Sequence, residues 1–79
     1  MAPTVLRQGG FRLFFFSLEE PRMHVHVSHP DGEAKFWLRP EIALATSISL
    51  NDRQLRTVRA IIEAHAAEIE DAWRRHFKG

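Results

Sequence analysis

The chain has 79 residues, of which 44% are hydrophobic and 27% charged, a composition typical of one small globular domain covering residues 1–79. Its 11 Lys and Arg against 10 Asp and Glu give a net charge of +1, which excludes a strongly cationic nucleic-acid coat. The absence of cysteine excludes disulfides and thiolate metal sites, and the longest apolar run, residues 13–16, is too short for a membrane span or a signal peptide. We therefore expect a cytoplasmic protein without a membrane partner.

The first predicted element is a β-hairpin whose strands, Thr4–Gln8 and Phe11–Ser17, are joined by Gly9-Gly10. Two adjacent glycines suit a type I′ turn, because both central residues of that turn need a positive φ. The predicted pairs are Leu6 with Leu13, Val5 with Phe14 and Arg7 with Arg12. Since side chains alternate along a strand, one face receives Leu6, Phe11, Leu13 and Phe15, and the other receives Val5, Arg7, Arg12, Phe14 and Phe16.

A second predicted hairpin pairs residues 23–28 with residues 33–38 across the turn His29-Pro30-Asp31-Gly32. A four-residue loop places His26 opposite Lys35 and His24 opposite Trp37. The apolar side chains then share one face, which carries Val25, Val27, Ala34, Phe36 and Leu38. The opposite face carries His24, His26, Lys35 and Trp37.

The C-terminal part of the chain predicts a helix over residues 51–77. Arg39-Pro40 ends the preceding strand, because proline donates no ladder hydrogen bond, and Glu41–Ser49 fits either a short edge strand or a packed loop. Asn51 and Gln54 form a capping box, and apolar residues then recur every three or four positions. The predicted fold is α+β, a small antiparallel sheet of three to four strands over residues 4–48 packed by this helix.

The length of that helix poses a geometric problem. A straight helix from Asp52 to Phe77 would be about 39 Å long at 1.5 Å per residue, whereas a compact domain of this size is only about 30 Å across. The helix is therefore expected to bend or break near residue 65, or else to overhang the domain and pair with another chain.

Five segments spread over nearly the whole chain resemble a known family. They are Pro3–Arg7, Phe11–Ser17, His24–Val27, Gly32–Leu38 and Ala72-Trp73. Together they resemble domain of unknown function 4160, a family of small prokaryotic proteins with a short β-sheet and a C-terminal helix. Members are often encoded beside a second small protein, domain of unknown function 2442, so the resemblance implies a toxin–antitoxin-like two-gene module. The family usually has Glu-Pro-Pro-His where this chain has the longer Glu20–His24.

The histidine-bearing face is the candidate functional site. One helix covers only one face of so small a sheet, and burying the apolar face costs less, so His24 and His26 are expected to be at least partly solvent-accessible. A neutral histidine beside a lysine could act as a general base on a ribose 2′-hydroxyl, which makes His24, His26 and Lys35 candidate catalytic residues. The candidate binding face extends over Arg7, Arg12, Phe14 and Trp37. The alternative is that this face packs under the C-terminal helix or only faces solvent.

A metal site is the other chemistry that the histidines suggest. His24 and His26 could share an ion from adjacent positions on one side of a strand, but no third ligand is identifiable in the sequence. We therefore predict no metal and no cofactor.

Two classes of function remain open at this point, and so does the question of whether the protein is an enzyme. A core of this size contributes only about 3–5 kcal/mol, which favours a binding module that pairs with a small neighbouring-gene protein or self-associates as a homo-oligomer. Such a module would act in a two-gene system through protein–protein interaction. The alternative is an RNA-binding toxin or ribonuclease that uses His24, His26 and Lys35, because exposed rings can stack bases while cations neutralise phosphates.

Overall fold

A single antiparallel sheet followed by two helices makes up the fold of residues 4–15 and 22–77, the part of the chain that the computed structural model describes. The strands are β1 (Thr4–Gln8), β2 (Phe11–Phe14), β3 (His24–His29), β4 (Gly32–Trp37) and β5 (Ala43–Ile48), and the helices are α1 (Asp52–Ala64) and α2 (Ala66–His76). The strands lie side by side in chain order. The predicted α+β class is confirmed. The predicted count of three to four strands is wrong, because β5 forms a fifth strand where strand and loop had both been open.

The turn between β1 and β2 has the predicted conformation. Gly9-Gly10 adopts φ values of 58° and 83°, which L-residues with a side chain rarely reach. The pairing of Leu6 with Leu13 and of Arg7 with Arg12 is confirmed.

The far end of the same hairpin departs from the predicted register. Thr4 pairs with Phe14, and the register shifts between Thr4 and Leu6, so Val5 is an extra residue in β1. The predicted pairing of Val5 with Phe14 is therefore wrong, because a bulge places two residues of one strand opposite one of the other. The predicted continuation of β2 through residues 16–17 and the loop over residues 18–21 lie outside the described residues.

The hairpin of β3 and β4 has the register that the sequence predicts. His26 pairs with Lys35 and His24 pairs with Trp37, and the ladder closes with His29 opposite Gly32. This register places alternate residues of both strands on the same two faces of the sheet, as expected from the period of a strand.

The hydrophobic core lies between one face of the sheet and the two helices. The helices cover the face of the sheet that was predicted to be apolar, so the expectation that this face is buried is confirmed. The core consists of Phe11, Leu13, Phe15, Val25, Val27, Ala34, Phe36, Leu38, Val58, Ile61, Ile62, Ile69 and Trp73.

The helical segment begins with the predicted cap and breaks where the length argument expects it. The side chain of Asn51 accepts a hydrogen bond from the backbone N–H of Gln54 at 2.8 Å, and the side chain of Gln54 accepts one from the N–H of Asn51 at 2.9 Å. His65, with φ −117° and ψ 19°, separates α1 from α2. The longest dimension of the described chain is 36 Å, shorter than a straight helix of about 39 Å. Among the described residues, no helix is both long and apolar enough to cross a membrane.

Candidate binding face of the sheet

The sheet surface opposite the helices carries the candidate site, and we call it the open face. A row of four residues crosses it from β2 to β5, because Phe14 pairs with His26, His26 with Lys35 and Lys35 with Thr46. Glu33 of β4 and Ile48 of β5 form the next pair on this face, two residues from Lys35 and Thr46. These six side chains line a hollow of about 270 Å³. The sheet register thus brings residues from four strands into one concavity.

Cations lie over the aromatic rings of the open face. The guanidinium carbon of Arg12 is 4.6 Å from the centre of the Phe14 ring, and the ring of His26 stacks on Phe14 with 5.6 Å between centroids and 27° between planes. A cation over a ring is attracted by the negative face of the π-system. The Phe14 ring therefore contacts a cation from its own strand, β2, and an imidazole from β3.

Trp37 is engaged by two cations. The guanidinium carbon of Arg22 lies 4.1 Å from the Trp37 ring centre, and Nζ of Lys35 lies 4.5 Å from it. Arg22 is held in place because its Nε donates a hydrogen bond to the carbonyl oxygen of Arg39 at 3.0 Å. The end of the face near Trp37 is accordingly both aromatic and positively charged.

The described residues of the open face carry a net positive charge. Glu33 is the only acidic residue in the five described strands, whereas Arg7, Arg12 and Lys35 are basic and Arg22 stands just before β3. Arg12 also donates from Nε to the hydroxyl of Thr4 at 2.7 Å. Positive charge held over rings at fixed positions favours an anionic ligand.

His24 and Phe14 are the predicted site residues that the structure buries, Phe14 with an exposed fraction of 9% and His24 completely. The prediction that His24 is solvent-accessible is wrong, because its exposed fraction is 0%. Its ring lies 5.1 Å from the ring of Trp73 in α2 and 5.7 Å from that of Trp37. Its Nδ1 is 2.6 Å from the carbonyl oxygen of Arg22, and since a carbonyl only accepts, that nitrogen carries the proton. His26, by contrast, is partly exposed as predicted.

Comparison with protein families settles what the chain is related to. The model of the family Domain of unknown function (DUF4160) matches residues 10–74. The chain belongs to this family. The match runs from the first hairpin turn into α2 and includes every open-face residue named above except Thr4 and Arg7. No curated protein and no solved structure matches the chain.

Several residues of the open face in this DUF4160 protein were not among the predicted site residues, and they include Arg22, Glu33, Thr46 and Ile48. Arg22 falls in a segment that the sequence predicts as loop, so no strand alternation assigns it a face. Thr46 lies in β5, where the sequence leaves strand and loop open. Strict alternation would place Leu44, Thr46 and Ile48 on one face. The register shift instead leaves Thr46 opposite Lys35 on the open face and Leu44 opposite the core residue Phe36.

The structure also bears on the metal-binding alternative. Within residues 4–15 and 22–77, no three or more side chains of His, Cys, Asp or Glu come together in a way that could hold a metal ion. His29, which stands near the histidine pair in the sequence, accepts a hydrogen bond at Nδ1 from the backbone N–H of Asp31 at 3.0 Å. It thereby serves the turn between β3 and β4.

Proposed function

We propose that this DUF4160 protein is a binding module of a two-protein, toxin–antitoxin-like system, and that it binds an acidic surface of its partner through the open face. The observation that carries the proposal is the set of cations fixed over rings, Arg12 over Phe14 and both Arg22 and Lys35 over Trp37. Cations that are already ordered lose less side-chain entropy on binding than mobile ones do. The module acts in the cytoplasm, and the small protein encoded beside it is the partner we propose.

Binding is favoured over catalysis by the position of the two histidines. General acid–base chemistry requires groups within hydrogen-bonding reach of the substrate. His24 has an exposed fraction of 0%, so on the open face only His26 of this pair has exposed surface for contact with a ligand. One imidazole beside Lys35 is sufficient for an electrostatic contact and is a sparse set for cleavage chemistry.

An acidic protein surface is favoured over single-stranded RNA by the state of the rings. Base stacking needs an accessible ring face, and the rings of Phe14 and Trp37 are already contacted by cations. A guanidinium that lies flat on a ring still directs the N–H groups of its edge outward, where they match a carboxylate. The arrangement that hinders stacking is therefore compatible with contacts to acidic side chains.

The experiment that tests the proposal is co-expression with the neighbouring-gene protein, followed by size-exclusion chromatography with light scattering. We expect the wild type to elute with the mass of a complex and the double variant Arg12→Glu/Lys35→Glu to elute alone. The matched control, Arg53→Glu/Arg75→Glu, makes the same charge change at exposed helix positions and should still form the complex. A complex that survives reversal of the open-face charges, or a wild type that ignores the neighbour, contradicts the proposal.

A second candidate function is RNA binding or cleavage, and one observation favours it. His26 lies directly opposite Lys35 in a hollow of about 270 Å³, where an imidazole could take a proton from a ribose hydroxyl while the ammonium stabilises the resulting charge. Induced expression in a bacterial host, with RNA integrity measured in parallel, tests it. Growth arrest with RNA cleavage that His26→Ala abolishes would favour this candidate, and normal growth with intact RNA would exclude it.

A further inference from the structure

Arg7 and Arg12 lie directly opposite each other in the ladder between β1 and β2. The adjacent pair, Leu6 with Leu13, packs in the hydrophobic core, so the alternation of side chains along a strand directs both arginines to the open face. The Cβ atoms of directly opposed residues are only about 4.5–5.5 Å apart. The register therefore holds two positive charges side by side where β1 and β2 meet on this face.

The strands supply no negative charge next to this pair. Glu33 is the only acidic residue in the five described strands. It lies three strands from Arg7, in a row that runs through Arg12 and Ser28. At a spacing of about 4.8 Å between neighbouring strands, this separation is roughly 14 Å, which is too long for an ion pair. Within residues 4–15 and 22–77, Arg7 forms no ion pair. Since like charges directly opposite each other destabilise a sheet, the pair lowers the stability of the fold.

Arg12 is the better positioned of the two guanidiniums. Its Nε donates a hydrogen bond to the hydroxyl of Thr4 at 2.7 Å, and its guanidinium carbon lies 4.6 Å from the centre of the Phe14 ring. Arg7 stands exposed on β1, the first strand of the sheet. An oxyanion that reaches Arg12 therefore meets a guanidinium already in place and has a second one beside it. A carboxylate has two acceptor oxygens, so it can accept a hydrogen bond from each guanidinium.

We propose that Arg7 and Arg12 together bind one carboxylate of the partner protein, each guanidinium donating to one of its two oxygens. This inference rests on the proposed function and adds Arg7 as a residue that determines specificity. A negative group between the guanidiniums cancels their repulsion, whereas a neutral side chain leaves it and a basic one increases it. Arg7 therefore lowers the stability of the free protein and raises the affinity of the complex.

The stability of the free protein tests the repulsion between the two arginines. Arg7→Gln removes the charge and keeps a polar side chain, while Arg7→Lys keeps the charge. We expect the urea midpoint of Arg7→Gln to lie above that of the wild type at low salt and that of Arg7→Lys to stay near the wild type. The difference between Arg7→Gln and the wild type should shrink at high salt, because salt screens exposed charges. An Arg7→Gln variant no more stable than the wild type at low salt would overturn the proposal.

The affinity for the neighbouring-gene protein, measured by isothermal titration calorimetry with the full chain, tests the shared carboxylate. We expect Arg7→Gln to weaken binding by about five-fold or more, and Arg7→Lys to weaken it less. The matched control is Arg75→Gln, which makes the same charge change at an exposed position of α2 and should bind like the wild type. The pair would thus have opposite effects on stability and on affinity, which a purely structural arginine would not show.

The outcomes separate this inference from the proposed function. A wild type that does not bind the neighbour overturns both. A complex that Arg12→Glu/Lys35→Glu abolishes but Arg7→Gln leaves at full affinity overturns only the shared carboxylate. An equal loss of affinity in Arg75→Gln would show that the partner responds to overall charge and would overturn the inference as well.

Discussion

The ring of His24 packs edge-on against the ring of Trp73, with 5.1 Å between centroids and 65° between planes. This contact joins the first residue of β3 to α2. Strand alternation assigns His24 to the open face, but the contact makes it part of the packed interior. His24 and His26, which stand on the same strand with one residue between them, therefore have different roles.

Replacement of the two histidines should separate these roles. His24→Ala removes a fully buried ring and its contact with the Arg22 carbonyl, so we expect a loss of about 2–4 kcal/mol in the free energy of unfolding. His26→Ala, at a partly exposed position, should cost less than about 1 kcal/mol. Urea unfolding followed by circular dichroism measures both. Equal losses of unfolding free energy in the two variants would contradict a stabilising role for the buried His24 ring.

Gly32 should tolerate no side chain. A Cβ atom at this position would lie 2.1 Å from the carbonyl oxygen of Ile48, which is backbone and cannot rotate away. Gly32→Ala must therefore shift the end of β5 or the turn, and we expect a cost of about 1–3 kcal/mol, as for other overpacked sites.

The control for that substitution is Gly9→Asn. At Gly9 a Cβ would meet only Phe11, at 4.0 Å, and φ is +58°, a value that asparagine adopts more readily than most residues do. It should cost less than Gly32→Ala in the same urea experiment. The reverse ranking would show that β5 does not lie against Gly32.

The capping box should be visible in helix stability. Asn51→Ala removes the acceptor for the N–H of Gln54, and loss of such a cap costs about 1 kcal/mol. Asn51→Asp keeps an acceptor at the N-terminus and should stay near the wild type. Thermal unfolding followed by the far-ultraviolet circular dichroism of the helices compares the stability of the two variants. An Asn51→Asp variant as unstable as Asn51→Ala would count against the cap.

Much of the fold follows from local patterns in the sequence. The pair Gly9-Gly10 determines the first turn because few other residues reach its φ values, and the spacing of Asn51 and Gln54 locates the helix start. Alternation of the apolar residues determines the faces of β3 and β4, since a slip of one residue would expose the whole apolar set, and the four-residue loop gives the pairing of His26 with Lys35. Each of these signals lies within a few residues of the structure that it determines.

The features that sequence reasoning missed depend on bulges or on distant contacts. The bulge at Val5 changes the register, and no local pattern marks it. No local pattern marks the bulge near Phe36 either, where the ladder between β4 and β5 is interrupted. The burial of His24 depends on Trp73 in α2, and strand alternation describes only the faces of a sheet, not what packs around its end. The position of Lys35 opposite His26 lies in the regular ladder of β3 with β4, and that prediction is confirmed.

The binding role of the open face is tested most directly by the indole N–H signals of the two tryptophans in an NMR titration with the neighbouring-gene protein. Trp37 lies on the open face between Arg22 and Lys35, while Trp73 lies in the core with 8% of its surface exposed. Trp37→Phe assigns the two signals. We expect the Trp37 signal to shift on addition of the partner while the Trp73 signal stays in place. No shift of Trp37 at saturating partner, or a shift confined to Trp73, would contradict a binding role for this face.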